Sequence, residues 1–152
     1  EVEKYYLEGK QLLESGERHE AVKSLHKALE RSPGFADALR LLGQAYFEMK
    51  MYDQAAETIE NYLEFNPDAT NYWFYLSICF KYMKQFDRAR DAGEKVREMQ
   101  PHRIANLLNL ADSYRMLGGF EKAREIVNQA LKIDPSSEPA IRLDGLLKTR
   151  GV

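Results

Sequence analysis

The fourteen residues Thr70 to Met83, TNYWFYLSICFKYM, carry ten hydrophobic side chains. Wound as a helix at about 100° per residue, they make two apolar stripes rather than one. Trp73, Leu76, Ser77 and Phe80 share one side, while Phe74, Ile78 and Tyr82 recur at i, i+4 and i+8 on another. One stripe suits a core, and the second needs a partner of its own. The apolar run is too short to cross a bilayer. The segment therefore reads as a helix packed on one face and open to docking on the other.

The rest of the chain repeats this element at a fixed interval. Prolines stand at Pro33, Pro67, Pro101 and Pro135, each 34 residues after the last, and alanines at Ala21, Ala55, Ala89 and Ala123 keep the same step. A small residue does so at Gly9, Gly43, Ser77 and Ala111, and a large one at Leu12, Tyr46, Phe80 and Tyr114. Four independent columns at one spacing define an internal repeat. Each copy predicts two helices of about 14 residues, about 21 Å long. Gly16 and Gly118-Gly119 mark two of the turns between them, and Asp53, Asp87 and Glu121 open second helices. The prolines end each second helix. The small residues and alanines are expected where the two helices of a pair cross, because larger side chains would hold the backbones apart.

With Val2, Ala36, Thr70 and Ile104 as position 1, position 4 holds Tyr5, Leu39, Trp73 and Leu107, and position 7 holds Glu8, Leu42, Leu76 and Leu110. Together with the columns above, this resembles the tetratricopeptide repeat family over essentially the whole chain. The resemblance implies an all-α, right-handed superhelical solenoid of antiparallel helix pairs, whose first helices line a concave groove that holds protein ligands. One domain is expected, with repeats at 2–35, 36–69, 70–103 and 104–137 and a capping helix at 138–150. Glu8 and Gln11 are polar where later copies are apolar or small, which suggests a true first repeat. A fifth repeat cut short is the alternative to a capping helix. Gly93 stands where Leu25, Ile59 and Val127 stand in the other copies, and an aromatic, Tyr62 or one from a first helix, is expected to fill that gap, a loosely packed third repeat being the alternative.

On the helical wheel, positions 2, 5, 9, 12 and 13 of each first helix lie opposite the core positions. The groove set is then Tyr6, Arg40, Gln44, Phe47, Phe74, Ile78, Lys81, Tyr82, Leu108, Asp112, Arg115 and Met116. Phe74, Ile78 and Tyr82 form its apolar centre, Phe47, Leu108 and Met116 border it, and Arg40, Lys81 and Arg115 rim it. Aromatic anchors edged by arginine are common at binding hot spots. Burial of the patch between neighbouring first helices is the competing arrangement. A subgroup of the family grips acidic C-terminal peptides with lysine, asparagine and arginine at set groove positions. Here the corresponding residues are Tyr6, Lys10, Leu41, Asn71 and Tyr75 in one frame and Arg40, Gln44, Tyr75, Ala105 and Asn109 in the other, and neither fits.

Composition narrows the chemistry further. The net charge of −2 gives no general attraction for nucleic acid. Charge is unevenly spread: repeat two is acidic and repeat three basic, mostly on second helices, which suits a solvated convex face. A single cysteine, Cys79, excludes an internal disulfide and any zinc site built from cysteines, and its position marks it as a small packing residue. Ser24-Leu25-His26-Lys27 matches S-x-x-K without any companion motif. His19 and His26 are too far apart along a helix to share a metal, and His102 follows a turn proline. No phosphate loop, metalloprotease motif or nucleophile elbow occurs.

The expectation is therefore a non-enzymatic scaffold without cofactor or metal, binding a protein or peptide ligand with apolar anchors. No membrane span is expected, and a cytoplasmic location is. Alternatives are a self-associating homo-oligomer, in which one copy occupies another's groove or acidic repeat two meets basic repeat three, and a recruiting module of a larger enzyme. RNA binding in the pentatricopeptide manner would call for a 35-residue spacing and a basic groove.

Overall fold

The computed structural model describes residues 1–152 and contains nine α-helices and no strand. They are α1 (Val2–Glu14), α2 (Arg18–Arg31), α3 (Ala36–Glu48), α4 (Tyr52–Phe65), α5 (Thr70–Tyr82), α6 (Phe86–Met99), α7 (Ile104–Met116), α8 (Phe120–Ile133) and α9 (Glu138–Lys148). Each of the first four hairpins pairs a 13-residue helix with a 14-residue one. Every second helix stops two residues short of its proline, at Arg31, Phe65, Met99 and Ile133.

The turn inside each hairpin is the same at the level of the backbone. Gly16, Lys50, Lys84 and Gly118 all adopt a left-handed conformation, with φ of 82°, 60°, 59° and 82°. Each turn carries the bond that closes a Schellman motif: Glu17 N–H to Leu12 O at 2.8 Å, Met51 N–H to Tyr46 O at 2.9 Å, Gln85 N–H to Phe80 O at 2.8 Å and Gly119 N–H to Tyr114 O at 2.8 Å. Two lysines thus hold a conformation that glycine adopts freely. The second helices start with no side-chain cap on the residue before them.

The chain divides into two compact units, Glu1–Tyr72 and Trp73–Val152, with the division falling inside α5. In the first unit α1 packs on α2, α2 on α3 and α3 on α4, and α1 also meets α3. Ala21, Leu25, Ala28, Ala38, Ala45, Ala55 and Ile59 are sealed from solvent there. A Cβ added to Gly9 would lie 2.7 Å from Leu25, and one on Gly43 would lie 2.9 Å from Ile59. The small column does mark where the helices of a pair cross.

In the second unit α6 packs on α7, α7 on α8 and α8 on α9. Leu107, Leu110, Ala111, Ile126 and Val127 form its core with Ala140, Leu143 and Leu147 of α9. α9 has a side-chain cap, Ser137 accepting from the Ala140 N–H at 3.4 Å, and a proline in its first turn. Asp144, where repeats two to four place leucine, is bonded by Arg124 of α8 and pairs with Lys148 at 3.0 Å. Ile141 and Leu146 of the same helix remain exposed.

The gap at Gly93 is not filled by an aromatic. Leu110 and Asn106 of α7 approach instead, with Leu110 Cδ1 3.0 Å from where a Cβ would stand, and the Asn106 amide donates to Gly93 O at 3.0 Å. Tyr62 stacks on Tyr72, ring centroids 5.0 Å apart, in the other unit. The glycine lets a neighbouring helix come close enough to bond its backbone.

Candidate interaction face

The second unit presents one face made by α5, α7 and α9. Its polar centre is Asp112 of α7, whose carboxylate takes Lys81 Nζ at 3.2 Å on one oxygen and Arg115 at 2.7 Å on the other. Lys81 also donates to Asn109 Oδ1 at 3.1 Å. The side chains of this cluster are between 22% and 30% exposed, so the pairs are partly screened and fix geometry more than they add stability.

An apolar hollow lies on either side of that cluster. Between α5 and α7 a cavity of about 470 Å³ is lined by Ile78, Tyr82, Phe86 and Met116. On the α9 side a cavity of about 220 Å³ is lined by Leu108, Pro139, Leu143 and Leu146. Lys81, Asn109 and Asp112 border both. Tyr82 is 64% exposed and Met116 49%, unusual for large apolar side chains so close together.

Phe74 departs from expectation. It is only 8% exposed, with the Arg103 guanidinium 4.1 Å from its ring centroid and the Tyr75 ring 6.3 Å away. A wheel drawn for α5 alone could not show that the residue before α7 folds over it. On the opposite, core stripe Leu76, Ser77 and Phe80 are buried as expected, whereas Trp73 is half-buried with Lys95 6.0 Å from its ring. In the first unit Tyr6 lies 5.1 Å from Phe35, ring to ring, Arg40 bonds the Tyr72 side chain, Gln44 donates to Glu48 at 3.0 Å and Phe47 packs edge-on against Tyr52.

Asn109, Lys84, Phe86 and Pro139 border the hollows without having been picked out from the sequence. For Asn109 a signal was available. Position 6 lies four residues after position 2 and three before position 9, so it shares their stripe. Lys84 sits in a turn, beyond the reach of a helical wheel.

Cys79 is fully buried, and desolvation pushes its thiol up to about 12, so it stays protonated and inert. His26 is 2.7 Å from the Tyr46 hydroxyl. No three His, Cys, Asp or Glu side chains lie close enough together to hold a metal ion. No helix is long and apolar enough to cross a membrane.

A family model described as the tetratricopeptide repeat matches residues 12–76 and 82–145. The chain belongs to the tetratricopeptide repeat family. Among solved structures it is similar to MamA from Desulfovibrio magneticus RS-1, with TM-score 0.87 and 19% identity, covering 99% of this chain and 85% of that one. A second MamA structure gives 0.86 and 19% over 94% and 84%, and MamA of AMB-1 gives 0.86 and 22% over 94% and 78%. These likenesses show the tetratricopeptide-repeat fold. No curated protein matches the chain by sequence. Tetratricopeptide repeats are a protein-interaction scaffold, and the exposed apolar side chains of α5 and α7 are in keeping with that use.

Proposed function

We propose that the α5, α7 and α9 face holds a peptide or helix from a partner protein by two apolar anchors, one in each hollow. The observation that carries this is the joint exposure of Tyr82 and Met116 at the mouth of the larger cavity, beside an ordered Lys81–Asp112–Arg115 cluster. Exposed aromatic and methionine side chains around a pocket are what a partner's anchor would desolvate. Phe74 is left out of the contact set, since Arg103 already covers it. Its part is to support the outer stripe from beneath.

A random-peptide display selection against the chain tests the reading. Enriched peptides should carry at least two apolar side chains and lose about ten-fold in affinity on the Tyr82→Ala, Met116→Ala double variant, the size of a hot-spot truncation. Helix content by circular dichroism should not change. Selected peptides that bind both proteins equally would show that the site lies elsewhere.

A further inference from the structure

The charges around the two hollows specify the partner further, in a way that rests on the face proposed above. Three cations and one carboxylate border them: Lys81, Lys84 and Arg142 against Asp112. The chain as a whole is negative, at −2, so this excess is local. Asp112 is already shared between Lys81 and Arg115. Lys84 and Arg142 make no ion pair, and each borders only one hollow, Lys84 the larger and Arg142 the smaller. Each apolar well therefore has an unneutralised cation of its own, and the two wells share the partly neutralised Lys81.

We propose that the occupant is an acidic segment of a partner protein in which side-chain carboxylates flank two apolar anchors. The wells lie on either side of α7, so anchor spacing should match one interhelix distance, about 8–10 Å. Three residues of polyproline II helix span about 9 Å with both side chains on the same side. Seven residues of α-helix span about 10.5 Å, also on one side. A terminal carboxylate is not required, because the cations sit beside the wells rather than at the end of a closed clamp. Apolar anchors supply affinity, and the cations exclude basic segments of similar shape.

The test is an array of twelve-residue peptides, acetylated and amidated, carrying two leucines at every spacing from one to seven, with all other positions filled by Glu, Gln or Lys. Binding of the full chain is measured by fluorescence anisotropy at low and high salt. The Glu set should bind best, peaking at spacings three or seven, weaken as salt rises, and exclude the Lys set. Lys84→Gln and Arg142→Gln should each lower Glu-set affinity about two- to five-fold and leave the Gln set unchanged, the range for exposed charge pairs. Equal binding of Glu and Gln sets, both lost in the Tyr82→Ala, Met116→Ala variant, would overturn the acidic preference and keep the face. Loss of all binding, or binding indifferent to that double variant, would overturn both. A twelve-nucleotide single-stranded RNA that bound the same face more tightly than every Glu peptide would replace the protein segment with a nucleic acid.

Discussion

The four hairpin turns allow a prediction whose sign reverses with the residue already present. Gly16 and Gly118 stand at φ of 82°, and a Cβ added to either would meet nothing within 4 Å. Gly16→Ala and Gly118→Ala should therefore be penalised by the backbone alone. The left-handed conformation costs an L residue about 1–2 kcal/mol. Against this, losing glycine's freedom in the unfolded chain returns about 0.4–1 kcal/mol, so each variant should be destabilised by about 1 kcal/mol. Lys50 occupies the equivalent place at φ 60° and already bears that cost. Lys50→Gly should relieve it, less the unfolded-state term and about 0.3 kcal/mol for a cation lost beside a helix C-terminus, leaving a gain of about 0.5 kcal/mol. Salt screens the lost cation, so the gain should grow slightly at high ionic strength. For a chain of this size, 1 kcal/mol moves the melting temperature by about 2–4 °C. Urea unfolding followed by helix signal reads the change as a shift in midpoint at constant slope. A neutral Gly16→Ala, or a Lys50→Gly that lowers the midpoint, would show that the left-handed turn does not limit stability.

Other outcomes follow from the packing and from the displaced ionisations. Gly43→Ala would put a Cβ 2.9 Å from Ile59 Cγ1 and should cost about 1–3 kcal/mol, read by the same unfolding assay. The Asp144 carboxyl is held below its ordinary range by hydrogen bonds from Arg124 and Lys148. The stability it contributes is full above the unfolded carboxyl range near pH 4 and fades as pH falls through the lower native value, so Asp144→Asn should flatten the acid limb of the unfolding curve. Burial, and then the bond to the Glu94 carboxylate, push the Tyr114 phenol up to about 12. Its contribution is full below about pH 10 and is lost as pH rises towards 12. Tyr114 should thus be among the tyrosines that ionise late in an absorbance titration, with Tyr46, which burial also raises, and the late phase should shrink in Tyr114→Phe. Cys79 should resist thiol reagents until the protein is unfolded; rapid labelling of native protein would contradict its complete burial.

The repeat itself was plain in the sequence because it is written in residues with one steric role each. Proline cannot continue a helix, and a small residue at a crossing cannot be enlarged without separating two backbones, as Gly9 against Leu25 shows. Such constraints act within a single hairpin and survive without knowledge of any neighbour. The turns at Lys50 and Lys84 were less legible, since lysine carries no local signal for a left-handed residue and the surrounding Schellman bonds impose it. Phe74 was misjudged for a different reason. Its exposure is decided by Arg103, twenty-nine positions later, and no wheel of α5 contains that residue.

Repeat three departs most from its neighbours, and the departures are of two opposed kinds. On the outer side of α5 it sets Ile78 and Tyr82, apolar where Gln44 and Glu48 or Lys10 and Glu14 are polar. Inside α6 it sets Gly93 and Arg97, where Leu25, Ile59 and Val127 and then Leu29, Leu63 and Leu131 stand in the others. The lost apolar volume is replaced by polar bonds to repeat four: Asn106 to Gly93 O, Arg97 to Gln129 at 3.0 Å, and the Tyr114 hydroxyl to Glu94, which Arg97 also meets at 3.4 Å within α6. Asn106 Oδ1 is left without a partner in this seam, a cost that an apolar residue would not incur. Polar bonds with fixed donors and acceptors hold α7 at one register on α6, whereas a smooth apolar contact tolerates sliding. That register sets where Asp112 and Met116 of α7 stand relative to α6. Selection for stability alone would favour leucine at both α6 sites and polar residues on the α5 surface. A sequence that does the opposite at both, within one repeat, is better explained by a demand on the precision and stickiness of the face than by a demand on the fold.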